Sequence, residues 1–446
     1  MIASAEDRRQ AVHISMGAWA LLLRWITWPQ AAALATVALL FVWLVLPRIG
    51  GRALYRPGDH ARGYPVGMLL YPFLVLLLVL VFRVRLDIVA MAWGILAAGD
   101  GFATVAGRRS RGRRVPWNAE KSVAGTVTFV VAGSLAAFAL GWWTSLGQPA
   151  PMSLQAIAVG ALIAAVAAGL AETIPVRLDD NITVAITAAF VTWCVAIAEV
   201  PPVRGQTGAI MTRLAVGLAL NGAVAAAGWM AATVSASGVV AGVLIGTIIY
   251  ACAGAGAWVL LLVGFAAAAI TSRVGYKRKL QLGIAEEHGG RRGASNAIAN
   301  TGVAAIAAVL AVATPHRAEA LLALAAALVA GSSDTVASEI GKAFGRRTFL
   351  LIGLRPVAPG TSGALSLEGT AAGIAAAAAL AAIAVRAGLV TQPMLIIVIA
   401  AATAASFLES ALGATLEGPR ILNNDLLNFI NTAAAAALAV LLASRL

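Results

Sequence analysis

The sequence predicts an all-α polytopic membrane protein with roughly fourteen transmembrane helices in two related helical modules. Of its 446 residues 61% are hydrophobic and only 11% are charged, whereas a soluble globular domain is about 25% charged. Mean hydropathy is +0.89, and uncharged stretches long enough to span a bilayer, at about 20 residues per helix, recur throughout. These stretches are Gln30–Pro47, Gly63–Phe82, Ser122–Ala171, Asn181–Ala198, Leu214–Ser272, Gly293–His316, Gly369–Val385, Ala387–Leu408 and Leu426–Ser444.

The two modules are indicated by a motif that occurs twice. Asp100–Arg108 and Asp334–Lys342 both read Asp-x-x-Ala-(Thr/Ser)-x-x-Gly-(Arg/Lys). On a helix these positions lie along one stripe, which carries a carboxylate, then small residues, then a cation. Two interpretations stay open. The small residues allow close helix packing, or they leave room for a ligand beside a carboxylate that is costly to place in a membrane.

Each copy of the motif is followed by the same features in the same order. The order is a polar loop, a Gly-Thr helix start, two spans, a glutamate and an Asn/Asp cluster. Asp100 precedes Glu172 by 72 residues, and Asp334 precedes Glu409 by 75. This matched order predicts a duplicated catalytic or binding module. We place the boundary in the Pro-containing break at 199–213, which gives domains of 1–205 and 206–446.

The net charge of +13 is concentrated in loops. The basic loops at 108–121 and 273–292 are expected in the cytoplasm by the positive-inside rule, and an additional role in binding an anionic ligand stays open. Counting crossings places Asp100, Lys121, Glu172 and Asp180 at that same surface, where they can converge. Neither a cleavable signal peptide nor a disulfide framework is expected, and we expect the protein in a bacterial cytoplasmic membrane.

Carboxylates beside basic loops predict phosphoryl transfer at a magnesium–nucleotide site. Mg²⁺ uses a few carboxylates and the substrate's phosphates, and the transfer depends on positioning and charge neutralisation. Asp100 and Asp334 are expected to hold the metal. Glu172 and Glu409 are candidate second carboxylates, for the metal or for accepting a hydroxyl proton. The cations expected to neutralise phosphate are Arg108, Arg109, Lys121, Lys342, Arg346 and Arg347.

Backbone N–H groups at helix N-termini are candidate anion sites, and we expect them at Gly125-Thr126 and at 360–363. Plainer interpretations remain for several of these residues. The two glutamates at helix ends are also typical interfacial residues, the 423–425 cluster is also a typical helix cap, and His13 flanks a first helix, where interfacial histidines are common. The sequence contains no Walker A motif.

The first half resembles the CTP-dependent polyprenol kinases, which include phytol and dolichol kinases, over roughly residues 5–200. The matching residues are Arg8, Arg9, His13, Gly99 to Ala103, Gly107, Arg108, Pro116, Asn118, Lys121, Ser122, Gly125, Thr126, Glu172, Asp180 and Asn181. Ala124 before Gly125 fits the phytol-kinase branch. The resemblance implies catalytic roles for Asp100, Lys121 and Glu172, phosphate contacts from Gly107, Ser122, Gly125 and Thr126, and metal contacts from Asp180 and Asn181.

Residues 235–446 resemble the membrane family that contains phytyl-phosphate kinase. The matching residues are Gly283 to Glu286, Arg291, Arg292, Ala299, Asn300, Gly302, Ser333 to Gly341, Pro359, Gly360, Thr361, Gly363, Ser366, Gly369, Asn424 and Asn428. The family tends to have Asn-Gly-Gly where this chain has Ser362-Gly363-Ala364. The resemblance implies catalytic roles for Asp334, Glu339 and Glu409, phosphate contacts from Gly360, Thr361, Gly363 and Lys342, and a metal contact from Asn424.

Together the two resemblances imply consecutive reactions in one chain. The first half would phosphorylate a long-chain isoprenoid alcohol and the second would convert the monophosphate to the diphosphate, with CTP or another NTP as donor and Mg²⁺ as cofactor. The expected partners are these lipids, the nucleotide and membrane lipid, and nucleic acid is not among them. A lipid cytidylyltransferase, or a transporter of two repeats with Asp100 and Asp334 in its ion path, are the alternatives.

Overall fold

The computed structural model describes residues 5–49, 55, 59–60, 64–110, 112–175, 178–198, 205, 207–285, 291–418 and 421–445. The chain divides into two compact units, Met1–Ile197 and Ala198–Leu446. Part of the break in which we placed the boundary, at 199–204 and 206, lies outside the described residues, as does Glu286 of the second resemblance.

The first unit contains seven described helices and one hairpin. Its elements are α1 (Ala5–Met16), a 3₁₀ segment (Gly17–Arg24), α2 (Trp28–Val45), α3 (Val66–Val81), α4 (Leu86–Arg109), β1 (Arg114–Val115), β2 (Asn118–Ser122), α5 (Val123–Ser145), α6 (Leu154–Glu172) and α7 (Asp180–Ile197). The strands β1 and β2 pair antiparallel.

The second unit contains nine described helices and a second hairpin. Its elements are α8 (Thr207–Met230), α9 (Ala236–Ala253), α10 (Ala255–Arg273), α11 (Tyr276–Gln281), α12 (Ala294–Ala313), α13 (Arg317–Phe344), β3 (Thr348–Leu350), β4 (Ala364–Ser366), α14 (Leu367–Arg386), α15 (Met394–Glu417) and α16 (Asn424–Ala443). The strands β3 and β4 also pair antiparallel.

Thirteen of the described helices are long and apolar enough to cross a membrane, which confirms the predicted class of fold. Our count of roughly fourteen includes a span at 64–82. The helix there, α3, has 16 residues, fewer than the roughly 20 that span a bilayer untilted. The two helices with the repeated motif, α4 and α13, are the most buried of the thirteen, at 72% and 61%. Each therefore lies at the centre of its unit.

The same order of elements follows each central helix. In the first unit α4 is followed by a hairpin and then α5, α6 and α7, and α4 packs against all three. In the second unit α13 is followed by a hairpin and then α14, α15 and α16, with the same packing. Both hairpins lie where the sequence predicts only polar loops. Strands as short and polar as Asn118–Ser122 have no alternating apolar pattern by which they could be predicted.

Candidate functional site

The first acidic site centres on Asp100, in the interior of α4. A π-helical segment, Ile95–Asp100, interrupts the α-helix just before the repeated motif, and such segments are frequent at functional sites. His13 of α1 reaches this segment, where its Nε2 lies 2.9 Å from the Leu96 carbonyl oxygen and 3.5 Å from Asp100 Oδ2. The histidine that we place at an interface therefore contacts the central carboxylate.

Lys121 links the other acidic residues of the first unit. It projects from β2 and its Nζ donates at 2.7 Å to both Glu172 Oε1 and Asp180 Oδ2. Asp100 lies close enough to interact electrostatically with Lys121 and Asp180. Burial alone would lower the pKa of Lys121, but the carboxylates of Glu172 and Asp180 raise it well above its usual value. The predicted convergence of these four residues is present, with the lysine firmly protonated.

The hairpin and the start of α7 hold this arrangement in place. Asn118 donates to the Thr173 carbonyl oxygen at 3.1 Å, which fixes β2 against the end of α6. The Asn181 amide donates to Asp179 Oδ1 at 2.7 Å. Asn181 Oδ1 is buried without a hydrogen-bond partner among the described residues. An unsatisfied buried oxygen beside carboxylates is a donor atom suited to a hard cation.

The small residues of the stripe pack against the following helix. A Cβ on Gly107 would lie 3.2 Å from Ser122 Oγ and 3.9 Å from Gly125 Cα. The second unit repeats this contact, because a Cβ on Gly341 would lie 3.0 Å from Ser366 Oγ and 3.7 Å from the glycine Cα at 369. The packing interpretation therefore holds for the glycine end of each stripe.

This packing corrects the expected anion site at Gly125 and Thr126. Ser122 is the N-cap of α5, and its Oγ accepts from the Gly125 N–H at 3.0 Å. The Thr126 hydroxyl donates to the Ser122 carbonyl oxygen at 3.2 Å. The predicted Gly125 N–H donor is already satisfied, so a phosphate there would have to displace the cap. Arg108 and Arg109, in contrast, lie exposed in the last turn of α4.

The second acidic site centres on Asp334 of α13, whose Oδ1 accepts from the Ser406 hydroxyl at 2.7 Å. Glu409, one turn further along α15, is close enough to interact electrostatically with Asp334, and Asn431 of α16 lies beside its carboxyl. Within the described part of the chain, Glu409 Oε2 and both Asn431 amide atoms are buried and unpartnered. The two oxygens among these atoms, Glu409 Oε2 and Asn431 Oδ1, again suit a hard cation.

Glu339 belongs to a separate buried cluster. Its Oε2 accepts from Lys279 Nζ at 2.6 Å and its Oε1 from Lys342 Nζ at 2.8 Å. Lys279 is 1% exposed and also donates to the Ser272 carbonyl oxygen at 2.7 Å. The pair therefore fixes the short helix α11 to α13. Glu339, which we expect to be catalytic, therefore has a lysine bound to each of its carboxylate oxygens. Lys342, which we expect at phosphate, is engaged in one of these two ion pairs.

Gly360, Thr361 and Gly363, which we expect near a helix N-terminus, lie in the turn between β3 and β4, and α14 begins only after β4, at Leu367. The Thr361 hydroxyl donates to the carbonyl oxygen at 358, at 2.7 Å. Gly363 has a φ of +72° and abuts α15 so closely that a Cβ would overlap the Ser410 carbonyl oxygen. The structural counterpart of Gly125 is Gly369, whose N–H donates to the N-cap of α14, Ser366 Oγ, at 3.1 Å.

The Asn/Asp cluster at the start of α16 is a helix cap, as one of our interpretations held. Asn423 is the N-cap, and its side chain accepts from the Leu426 N–H at 2.8 Å. Asn424 follows it on the exposed first turn. The side-chain amide that lies beside the Glu409 carboxyl belongs to Asn431, two turns further along the helix.

Four contacts, three at the two acidic sites and one in the Glu339 cluster, are absent from our sequence-based prediction. They are made by His13, Lys279, Ser406 and Asn431. Three of the partners are distant along the chain, from 60 residues for Lys279 and Glu339 to 83 for His13 and Leu96, whereas Asn431 and Glu409 lie on consecutive helices. The one available signal is the polar character of Asn431 and Ser406 within apolar spans, since such residues usually bond across helices.

Comparison with known proteins shows the family to which the chain is related. Residues 219–436 match the integral membrane protein family DUF92. An uncharacterized membrane protein of Synechocystis is 40% identical over 200 residues, which cover 44% of this chain and 78% of that protein. Protein VTE6 of Arabidopsis thaliana is 34% identical over 215 residues, which cover 47% of this chain and 65% of that relative.

More distant relatives are prenol kinases. Probable phytol kinase 3 of Glycine max is 31% identical over 142 residues, which cover 31% of this chain and 44% of the relative. The farnesol kinase of Arabidopsis thaliana is 34% identical over 97 residues, which cover 21% and 31%. No solved structure matches. The chain is thus related to prenol kinases, and by its match to most of the Synechocystis protein it belongs to the DUF92 family of integral membrane proteins.

Proposed function

We propose that the chain is a bifunctional membrane kinase that phosphorylates an isoprenoid alcohol to the monophosphate and then to the diphosphate, with CTP as donor and Mg²⁺ as cofactor. The observation that carries this proposal is the repeated arrangement. Each unit has a partly buried aspartate on its central helix, and a hairpin and three helices follow in the same order. The relationship to phytol and farnesol kinases supports a prenol as the first acceptor.

The first unit is suited to an alcohol acceptor. A hydroxyl group must lose its proton as the new bond to phosphorus forms, so its transfer benefits from a base within reach. His13 and Asp100 lie 3.5 Å apart and form such a pair. In this proposal they accept the hydroxyl proton, while Lys121 neutralises charge on the transferred phosphoryl group.

The second unit is suited to an acceptor that is already ionised. A phosphate monoester has a second pKa of about 6, so its attacking oxygen is anionic at neutral pH and needs little help from a base. Asp334 instead accepts a hydrogen bond from the Ser406 hydroxyl at 2.7 Å. This contrast between the two carboxylates supports the order alcohol first, monophosphate second.

Both sites fit Mg²⁺ through their unpartnered oxygens, Asn181 Oδ1 in the first unit and Glu409 Oε2 and Asn431 Oδ1 in the second. Mg²⁺ is typically held by one or two carboxylates with the substrate's phosphates and waters. Among the described residues no three His, Cys, Asp or Glu side chains form a metal cluster of their own, so the phosphates would complete each site. When bound, the ion would neutralise charge that develops on the transferred group.

A site at the membrane surface suits reactants of this kind. The isoprenoid chain stays in the hydrocarbon, while its polar end meets a nucleotide from the cytoplasm. The basic loops at 108–121 and 273–292 would face that compartment by the positive-inside rule, in a bacterial cytoplasmic membrane.

The test uses purified full-length protein in lipid nanodiscs with geranylgeraniol, Mg²⁺ and CTP labelled at either the α- or the γ-phosphate. We expect γ-label in both lipid monophosphate and diphosphate, and no α-label in lipid. Transfer of the α-label would identify a cytidylyltransferase. Absence of both labels from lipid would contradict the proposal and favour transport.

A further inference from the structure

The imidazole ring of His13 is held by two other helices of the first unit. Its Nε2 lies 2.9 Å from the Leu96 carbonyl oxygen, in the π-helical segment of α4. Because a carbonyl oxygen only accepts hydrogen bonds, Nε2 carries a hydrogen in this contact. The ring also meets Tyr71 of α3 edge to face, with the centroids 4.8 Å apart and the planes at 79°. Such aromatic contacts favour one ring orientation over others.

Tyr71 is itself fixed by a second buried aromatic residue, Trp93 of α4. The two residues are 6% and 9% exposed, and Trp93 Nε1 donates to the Tyr71 hydroxyl at 2.9 Å. An indole N–H is only a donor, so the hydroxyl keeps its own hydrogen for another acceptor. That acceptor is the backbone carbonyl oxygen of His13, at 3.4 Å. The hydrogen bonds therefore run from α4 through α3 to the backbone of α1.

The helix α1 can approach α4 this closely because residue 101 has no side chain. A Cβ on Gly101 would overlap Ile14 Cγ1 and would lie 3.7 Å from His13 Cδ2. A side chain there would force Ile14, and with it the turn that carries His13, away from α4. Gly101 directly follows Asp100, so this close approach occurs at the centre of the first acidic site.

We infer that Tyr71, Trp93 and Gly101 position His13 for the transfer to the alcohol, acting through the histidine rather than on the reactants. The inference rests on the proposed function for the role of His13 as the base. The helix α1 has only 12 residues, and helices of this length depend on tertiary contacts for their stability. A displacement of about 1 Å can slow a reaction roughly 100-fold, so a base on α1 needs its place fixed by neighbouring helices.

A role in packing alone is distinguished from a role in positioning by the background in which each residue is changed. A residue needed only for folding slows the reaction equally whether or not His13 is present. A positioning residue matters only while there is a histidine to position. Combining each variant with His13→Ala therefore separates the two roles.

The experiment measures monophosphate formation by full-length protein in nanodiscs with geranylgeraniol, Mg²⁺ and γ-labelled CTP. Tyr71→Phe keeps the ring but removes the hydroxyl. We expect it to lower kcat about fivefold, the usual effect of losing one hydrogen bond, and to leave KM unchanged. Gly101→Ala should lower kcat at least as much, because it displaces α1. In the His13→Ala background neither change should slow the residual reaction further.

Two more variants sharpen the assignment. Trp93→Phe removes the donor to the Tyr71 hydroxyl, so it should lower kcat when made alone but add little to Tyr71→Phe. Tyr250→Phe in the second unit is the matched control, because Tyr250 also meets a tryptophan edge to face, with its centroid 6.3 Å from that of Trp258. It should leave the rate of monophosphate formation unchanged.

A further measurement requires no turnover. Diethyl pyrocarbonate modifies neutral imidazole rings, and mass spectrometry of the protein without substrates gives the rate at each histidine. Tyr71→Phe and Gly101→Ala should raise the rate at His13, because its ring is released from the Leu96 carbonyl oxygen. The rate at His316, whose side chain is 63% exposed, should stay the same.

Equal losses of kcat with and without His13 would overturn the inference, and so would an unchanged kcat in both Tyr71→Phe and Gly101→Ala. In either case the original protein still makes monophosphate, so the proposed function survives. If the original protein forms no labelled monophosphate, the proposed function fails and the modification rates decide whether His13 is held as described. An unchanged rate at His13 in both variants would then overturn the inference as well.

Discussion

The two acidic sites share a scaffold but differ in their charges. Both have a serine N-cap whose hydroxyl packs against a glycine of the central helix, at Ser122 and at Ser366. In the first unit one lysine joins the carboxylates at 172 and 180. In the second unit Lys279 and Lys342 bind Glu339 instead, and among the described residues Glu409 keeps an unpartnered oxygen. The two units thus share their backbone packing but differ in their ion pairs, as we propose that they differ in the acceptor they phosphorylate.

We expect the largest effect on stability from breaking the buried ion pair of Lys279 and Glu339, which the first unit does not share. Lys279→Met would leave Glu339 with one partner, and losing half of a buried ion pair costs about 3 kcal/mol or more. Lys342, which is 28% exposed, is the matched control, and Lys342→Met should cost about 1 kcal/mol or less. Thermal unfolding of both variants in the same detergent measures the difference. Equal melting temperatures would show that Lys279 does not anchor α11.

The next effect concerns His13, the base that we propose for the first unit. His13→Ala should slow monophosphate formation roughly 100-fold or more, which is typical for loss of a general base. Conversion of supplied monophosphate to diphosphate should be unchanged. His316→Ala in the second unit, at a side chain 63% exposed, is the control and should affect neither step. An equal loss of both steps in His13→Ala would contradict the assignment of the histidine to one unit.

The smallest effect tests the shared scaffold. Ser122→Ala and Ser366→Ala each remove one N-cap, so each should destabilise the protein by about 1 kcal/mol. The two losses should agree because the caps have similar geometry, at 3.0 Å and 3.1 Å from the glycine N–H. Thermal unfolding of the single variants provides the comparison. A loss confined to one variant would show that the resemblance of the two caps is superficial.

Local periodicity accounts for the parts of the fold that the sequence predicts well. Apolar runs indicate the spans, and the fixed offsets of the motif place Asp100 and Asp334 on central helices. The repeated order of features likewise brings Lys121 to Glu172 and Asp180. These relations depend on neighbours along one helix or on counting membrane crossings, both of which can be read from a single sequence.

The contacts that the sequence does not predict join distant segments. Nothing near His13 indicates that α1 reaches Leu96, 83 residues away. The glycines at 360–363 resemble an anion-binding turn, yet the hairpin between α13 and α14 places them away from the helix start. Pairing of such short strands is determined by packing around them rather than by their own residues.

The central claim is that each unit catalyses one step, and two isosteric variants test it most directly. Asp100→Asn and Asp334→Asn keep the side-chain shape but remove the carboxylate charge at the centre of each proposed site. With geranylgeraniol and γ-labelled CTP, we expect Asp100→Asn to form no labelled lipid but still to convert supplied monophosphate. Asp334→Asn should accumulate monophosphate and form no diphosphate. Loss of the same step in both variants would contradict the division of labour between the units.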